Sequence, residues 1–116
     1  MTIQKKKGGE GEAIAVAYLQ QLGWQILDRN FTSRYGELDI VSRDLDGVLV
    51  FCEVKHYQEN AMVHPLEMIG NKQIFRLKKT IDFYIYQKGY HHLMRRLDIM
   101  IIEASKISEI IPLLDL

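Results

Sequence analysis

Gly36-Glu37-Leu38-Asp39-Ile40-Val41-Ser42-Arg43-Asp44-Leu45-Asp46-Gly47-Val48-Leu49-Val50-Phe51-Cys52-Glu53-Val54-Lys55-His56 is the stretch that decides how this chain folds. Residues 36–43 and 47–56 are rich in β-branched and apolar side chains, and Asp44-Leu45-Asp46-Gly47 supplies turn residues between them, which predicts a β-hairpin. Facing residues in an antiparallel pair have a constant index sum. A turn centred on Asp46 therefore sets Asp39 across from Glu53, and Glu37 across from Lys55. Side chains alternate with period two, so Glu37 and Asp39 share one face of their strand, and Glu53 and Lys55 share one face of theirs. Opposed Cβ atoms lie about 4.5–5.5 Å apart, a spacing at which two carboxylates repel unless something compensates. A divalent cation is the natural compensator. A slip of one residue would scatter all four groups.

On either side of the hairpin the pattern is simple. Ile14, Ala15, Tyr18, Leu19 and Leu22 recur at helical spacing and Gly23 follows, predicting a helix over 11–22. Residues 24–30 read as a first strand with Trp24, Ile26 and Leu27 turned inward. The stretch 57–70, with Pro65 and few apolar anchors, is expected to be a loop or a short helix. Asn71 reads as the N-cap of a second long helix carrying Ile74, Leu77, Ile81 and Tyr84 or Ile85 on one side and closing near Gly89. Residues 97–103 are apolar throughout apart from Asp98 and Glu103, as a strand buried on both faces is; residues 107–114 form a last strand with Pro112 at an edge. The predicted order is αβββαβ plus a terminal strand, an α/β (α+β) arrangement with a mixed central sheet flanked by helices.

Composition sets the context. The chain has 116 residues, 47% hydrophobic and 26% charged, with zero formal net charge. It is therefore expected to form one globular domain over 1–116. Apolar runs such as 48–52 and 99–102 are far too short to span a membrane. Lys5-Lys6-Lys7 leads into glycines and glutamates rather than an apolar leader, so a cytoplasmic location is the default expectation. Charge is unevenly spread: Lys72, Arg76, Lys78, Lys79, Lys88, Arg95 and Arg96 face a single acid, Asp82, within 71–96. That segment carries plus six and is a candidate basic face for phosphates, although for the charges alone a solvated helix surface is the better account.

Each candidate also has a plain structural role. Glu53, Lys55 and Glu37 on an exposed strand would form a salt bridge of negligible worth, Asp39 would end a strand at the rim, and Glu12 would favour the positive end of the first helix. Lone Cys52 points away from Glu53 and reads as a buried small hydrophobe. His91-His92 fit a surface loop. His56 directly follows the lysine and is a candidate to line the same cleft. The joint placement of four charges in the most apolar hairpin of the chain favours a site.

Five blocks carry a wider resemblance: Gly8-x-x-Gly11-Glu12-x-x-Ala15-x-x-Tyr18-Leu19, Gly23-Trp24-x-Ile26-Leu27-x-Arg29-Asn30, Gly36-Glu37-Leu38-Asp39-Ile40, Phe51-x-Glu53-Val54-Lys55 and Arg96-Leu97-Asp98-Ile99. In order and spacing they resemble the YraN-like family of small bacterial predicted endonucleases, which looks like a branch of the PD-(D/E)xK, or restriction-endonuclease-like, superfamily. The resemblance implies the αβββαβ core. It also implies a nuclease hydrolysing phosphodiester bonds in DNA, in particular branched or otherwise structured DNA as Holliday-junction resolvases do. The alternative is a binding or scaffold protein that keeps the fold and the basic face without turnover.

By the same resemblance, Asp39 and Glu53 match metal-binding carboxylates, the Val54 carbonyl is a further ligand, and Lys55 matches the lysine that holds or polarises the attacking water. Glu12 matches a glutamate that reaches the metal through water, and Glu37 belongs to the Gly-Glu-x-Asp block. Mg²⁺, or Mn²⁺ in its place, is the implied cofactor, since a hard cation that keeps several waters needs few protein oxygens. Lys72 and Arg76 are placed to hold a nucleic-acid backbone, with Lys78 and Lys79 beside them on the basic face. A homodimer would suit a symmetric junction. The chain departs from the family pattern at His56-Tyr57, where a hydroxyl residue and an arginine are usual, and at Leu97, where the family has phenylalanine.

Overall fold

The structure, a computed structural model, describes residues 2–58, 62–64, 67 and 69–116. Its elements are α1 (Thr2–Gln21), β1 (Gln25–Ser33), β2 (Gly36–Arg43), β3 (Leu49–His56), α2 (Asn71–Lys88), β4 (Arg95–Glu103) and β5 (Lys106–Asp115). The five strands lie in sequence order in one sheet. β1, β2 and β3 form an antiparallel meander, α2 crosses over so that β4 runs parallel to β3, and β5 returns antiparallel along the edge. This is the αβββαβ core with a terminal strand, a mixed sheet with a helix on each face.

The two faces are filled differently. Leu38, Val41, Leu49, Phe51 and Leu97 pack under Leu77, Ile81, Tyr84 and Ile85 of α2. Ile40, Val50, Cys52 and Met100 pack under Ala15, Val16 and Leu19 of α1. Tyr84 is fully buried; its ring meets Phe31 and Phe51 edge-on, and its hydroxyl donates to Asp28 Oδ2 at 2.6 Å. α2 is thereby fixed over the meander, with its aromatic anchor satisfied at the polar end.

Several boundaries differ from expectation. α1 starts nine residues before the predicted Gly11, through Lys5-Lys6-Lys7-Gly8-Gly9, a run without apolar periodicity. Leu22, assigned to its apolar stripe, lies past the helix end and is exposed. The N-cap of α2 is Gly70 and not Asn71, which is the first helical residue; Gly70 is extended, at φ −89° and ψ 170°, and gives no side-chain cap. At the other end Gly89 adopts φ 73°, the left-handed conformation that closes a helix. The loop expected over 57–70 falls partly on 59–61, 65, 66 and 68, outside the described residues. Pro112 lies on the edge strand β5, opposite Asp98 beside a β-bulge, where its missing N–H disrupts no interior ladder. Among the described residues no helix is long and apolar enough to cross a membrane.

Candidate active site

The hairpin register is the one on which the site depends. β2 and β3 pair Ile40 with Cys52, Val41 with Phe51, Ser42 with Val50 and Arg43 with Leu49, the index sum predicted from a turn centred on Asp46. The turn is built by Asp44, whose Oδ1 accepts the N–H groups of Asp46 and Val48, both at 2.9 Å. Its Oδ2 accepts Arg96 Nη1 at 3.2 Å, and Arg96 Nε in turn bonds both carboxylate oxygens of buried Asp98 at 3.2 Å. The loop end of the hairpin is thus tied to β4.

The ladder ends one pair before the expected opposition of Asp39 and Glu53. Regular alternation breaks at Asp39: Leu38 joins the core under α2, while Ile40 joins the core under α1. In place of a backbone carbonyl, Asp39 Oδ2 accepts the Val54 N–H at 2.8 Å. The strands part here, and Glu37 pairs with Thr32 of β1 rather than with Lys55. Phe51 lies under α2, so Glu53 and Lys55, two and four residues on, follow on the same face.

These groups line one cavity of 440 Å³, walled by Gly36, Glu37, Asp39, Glu53, Val54 and Lys55 from the strands and by Gln73, Arg76, Leu77 and Thr80 from α2. Gly36 is needed for its narrow side: it has φ +146°, and a Cβ there would stand 3.1 Å from Thr80 Oγ1. Glu53 is buried, and Gln73 Nε2 donates to its Oε2 at 3.2 Å. Burial, then the hydrogen bond and charge of Asp39, push the Glu53 carboxyl far above the usual carboxylate range, against the opposing pull of Lys55 and Gln73. Glu12 is raised by burial and by Asp39, with Asn30 and Arg29 opposing. Asp39 therefore interacts with a carboxyl from α1 and with another from β3.

The remaining expected residues are placed elsewhere. His56 points to the other face, as an even-numbered neighbour of Lys55 must, and lies against α1 at Gly11, where an added methyl would collide with its imidazole. It does not line the cavity. Arg76 does, whereas Lys72, Lys78 and Lys79 are exposed on α2 outside it. Cys52 is buried under α1 and its thiol is pushed up to about 12, by burial first and by Asp98 next, which suits a core residue and not a nucleophile. Gln73 was missed from sequence; its only signal is its position one turn before Leu77 on the inward side of α2.

Among the described residues no three His, Cys, Asp or Glu side chains gather as a metal cluster. The chemistry of the donors present nevertheless suits a hard cation: two carboxylates crowd one another in a part-buried place with open volume beside them, and every available donor is an oxygen.

The sequence profile of the uncharacterised protein family UPF0102 matches residues 11–102. A UPF0102 protein of Persephonella marina (strain DSM 14350 / EX-H1) is 38% identical over 110 residues, 95% of this chain and 94% of that protein. One of Clostridium tetani (strain Massachusetts / E88) is 39% identical over 96 residues, 83% of this chain and 78% of that protein. Among solved structures, a chain of one described as "Structure of EndoMS-dsDNA2 complex" aligns with a TM-score of 0.43 and 18% identity, over 76% of this chain and 35% of that one. This chain thus spans about a third of that protein's length.

Proposed function

The chain belongs to the uncharacterised protein family UPF0102, and we propose that it is a Mg²⁺- or Mn²⁺-dependent nuclease that hydrolyses phosphodiester bonds in DNA. The observation that carries this reading is buried Glu53, forced against Asp39 with Lys55 on the same wall of one cavity. Burial and the nearby Asp39 oppose ionisation of Glu53, and the arrangement gains stability when a cation takes the place of its proton.

In this reading Asp39, Glu53 and the carbonyl of Val54 would hold the cation, and Glu12, which interacts with Asp39, would support it. When bound, the cation lowers the pKa of a water and neutralises charge on the phosphate. Gln73 fixes the rotamer of Glu53 through its amide. The Val54 N–H holds Asp39, so that its orientation is set by backbone and not by solvent. Lys55 is a compact cation that orients the attacking water or offsets the charge growing in the transition state. Arg76, at the cavity wall, takes a phosphate oxygen of the substrate backbone.

The test is a panel of labelled single-stranded, duplex, flap and four-way DNA incubated with Mg²⁺ or Mn²⁺. Cleavage of at least one substrate by the wild type and by none with Glu53→Ala is the expected outcome. Equal cleavage by both proteins, or none by either, would contradict the assignment.

A further inference from the structure

Beside the acidic cavity lies a second one of 330 Å³, lined by Tyr35, Lys79, Asp82, Phe83 and Tyr86. The two are neighbours: Tyr35 and Lys79 line this one, while Gly36 and Thr80, the next residues in sequence, line the other. The Tyr35 ring is 5.6 Å from that of Phe83, and the Arg34 guanidinium lies 5.0 Å above Tyr35. Lys79 places its ammonium 5.0 Å over the ring of Phe75, which is 59% exposed. Tyr86 is 74% exposed. Phe83 is half-buried and leans on Phe31 at the margin of the core, 6.3 Å between ring centroids, whereas Phe75, Lys79 and Tyr86 lie outside the buried side of α2, which is Leu77, Thr80, Ile81, Tyr84 and Ile85.

Resting on the nuclease reading above, we infer that this face is a stacking platform for unpaired nucleobases, and hence that the substrate carries unpaired nucleotides next to the scissile phosphate. The exposed Tyr86 ring offers a π-face on which any base can stack, and Lys79 and Arg34 beside it are cations that meet the phosphates on either side. A continuous duplex keeps its base faces inside the helix and has none to offer. A second copy of the chain is the poorer occupant, since a self-complementary contact would bring together two faces that each carry Arg34 and Lys79 and, among the described residues lining the cavity, a single acid, Asp82.

The test is fluorescence anisotropy without divalent cation, using three probes: a fluorescein-labelled hairpin duplex, the same duplex with a single-stranded thymine flap, and that flap with abasic sites replacing the thymines. Tyr86→Ala is expected to weaken flap binding about fivefold or more and duplex binding by less than about twofold, with Tyr86→Phe restoring the flap preference. The abasic flap should bind both proteins alike. Unchanged flap binding in Tyr86→Ala, or equal weakening on flap and duplex, overturns the inference. So does a wild-type dimer in sedimentation that Tyr86→Ala dissociates, which would assign the face to a second copy. Because binding is read without turnover, a protein that cuts nothing yet discriminates the flap defeats the nuclease reading alone.

Discussion

Lys55→Ala is expected to slow cleavage of DNA by about 10²–10³-fold while the affinity for uncut DNA stays within about threefold. Lys55 is half-buried on the wall of the acidic cavity, in a strand whose fold is held by Leu49, Val50, Phe51 and Cys52. Its loss therefore removes a charge and little packing. Single-turnover cleavage at saturating protein, alongside anisotropy on the same substrate, separates the effects. Rate and affinity falling together would make Lys55 a phosphate anchor instead.

Arg96→Met is expected to destabilise the protein by about 3 kcal/mol, because removing one partner of a buried ion pair leaves the other charge uncompensated. The guanidinium bonds both oxygens of Asp98, whose side chain is 3% exposed, and Oδ2 of Asp44, which is 9% exposed, and it lies 5.5 Å from the ring of Trp24. For a chain of this length that corresponds to a fall in Tm of roughly 10 °C. Burial already raises the Asp98 carboxyl, with Arg96 as the main opposing influence, so in the variant it rises further. A carboxyl raised above its unfolded value loses folding stability as pH increases between the two values, and the deficit should accordingly shrink on acidification. Thermal unfolding across pH checks both magnitude and sign; a deficit under about 1 kcal/mol, or one that grows on acidification, would mean that the clamp contributes little.

The clamp also explains which parts of the structure could be read from the chain. The register of β2 against β3 was legible because it depends on a local turn and on alternation, and Asp44 closes that turn with its own side chain. That Arg96 reinforces Asp44 across 52 positions was not legible, since long-range contacts leave no spacing signal. Likewise Gln73 meets Glu53 only because Tyr84, Leu77 and Ile81 fix where α2 crosses the sheet. At the break in alternation a carboxylate, Asp39, takes the place of a backbone acceptor, and Asn30 across from it on β1 has φ 53°, neither of which periodicity reveals. His56 was the opposite case: the period of two that groups Glu53 with Lys55 also turns it away toward Gly11.

Everything proposed for the reaction depends on Asp39 and Glu53 holding one divalent cation between them. Titration with Mn²⁺ followed by thermal unfolding measures this directly, because a ligand that binds the folded state stabilises it, by about 2.7 kcal/mol at a hundredfold excess over Kd. The wild-type Tm is predicted to climb by several degrees and level off, with no such rise in Asp39→Asn or Glu53→Gln. If all three proteins respond alike, the pair does not bind the ion.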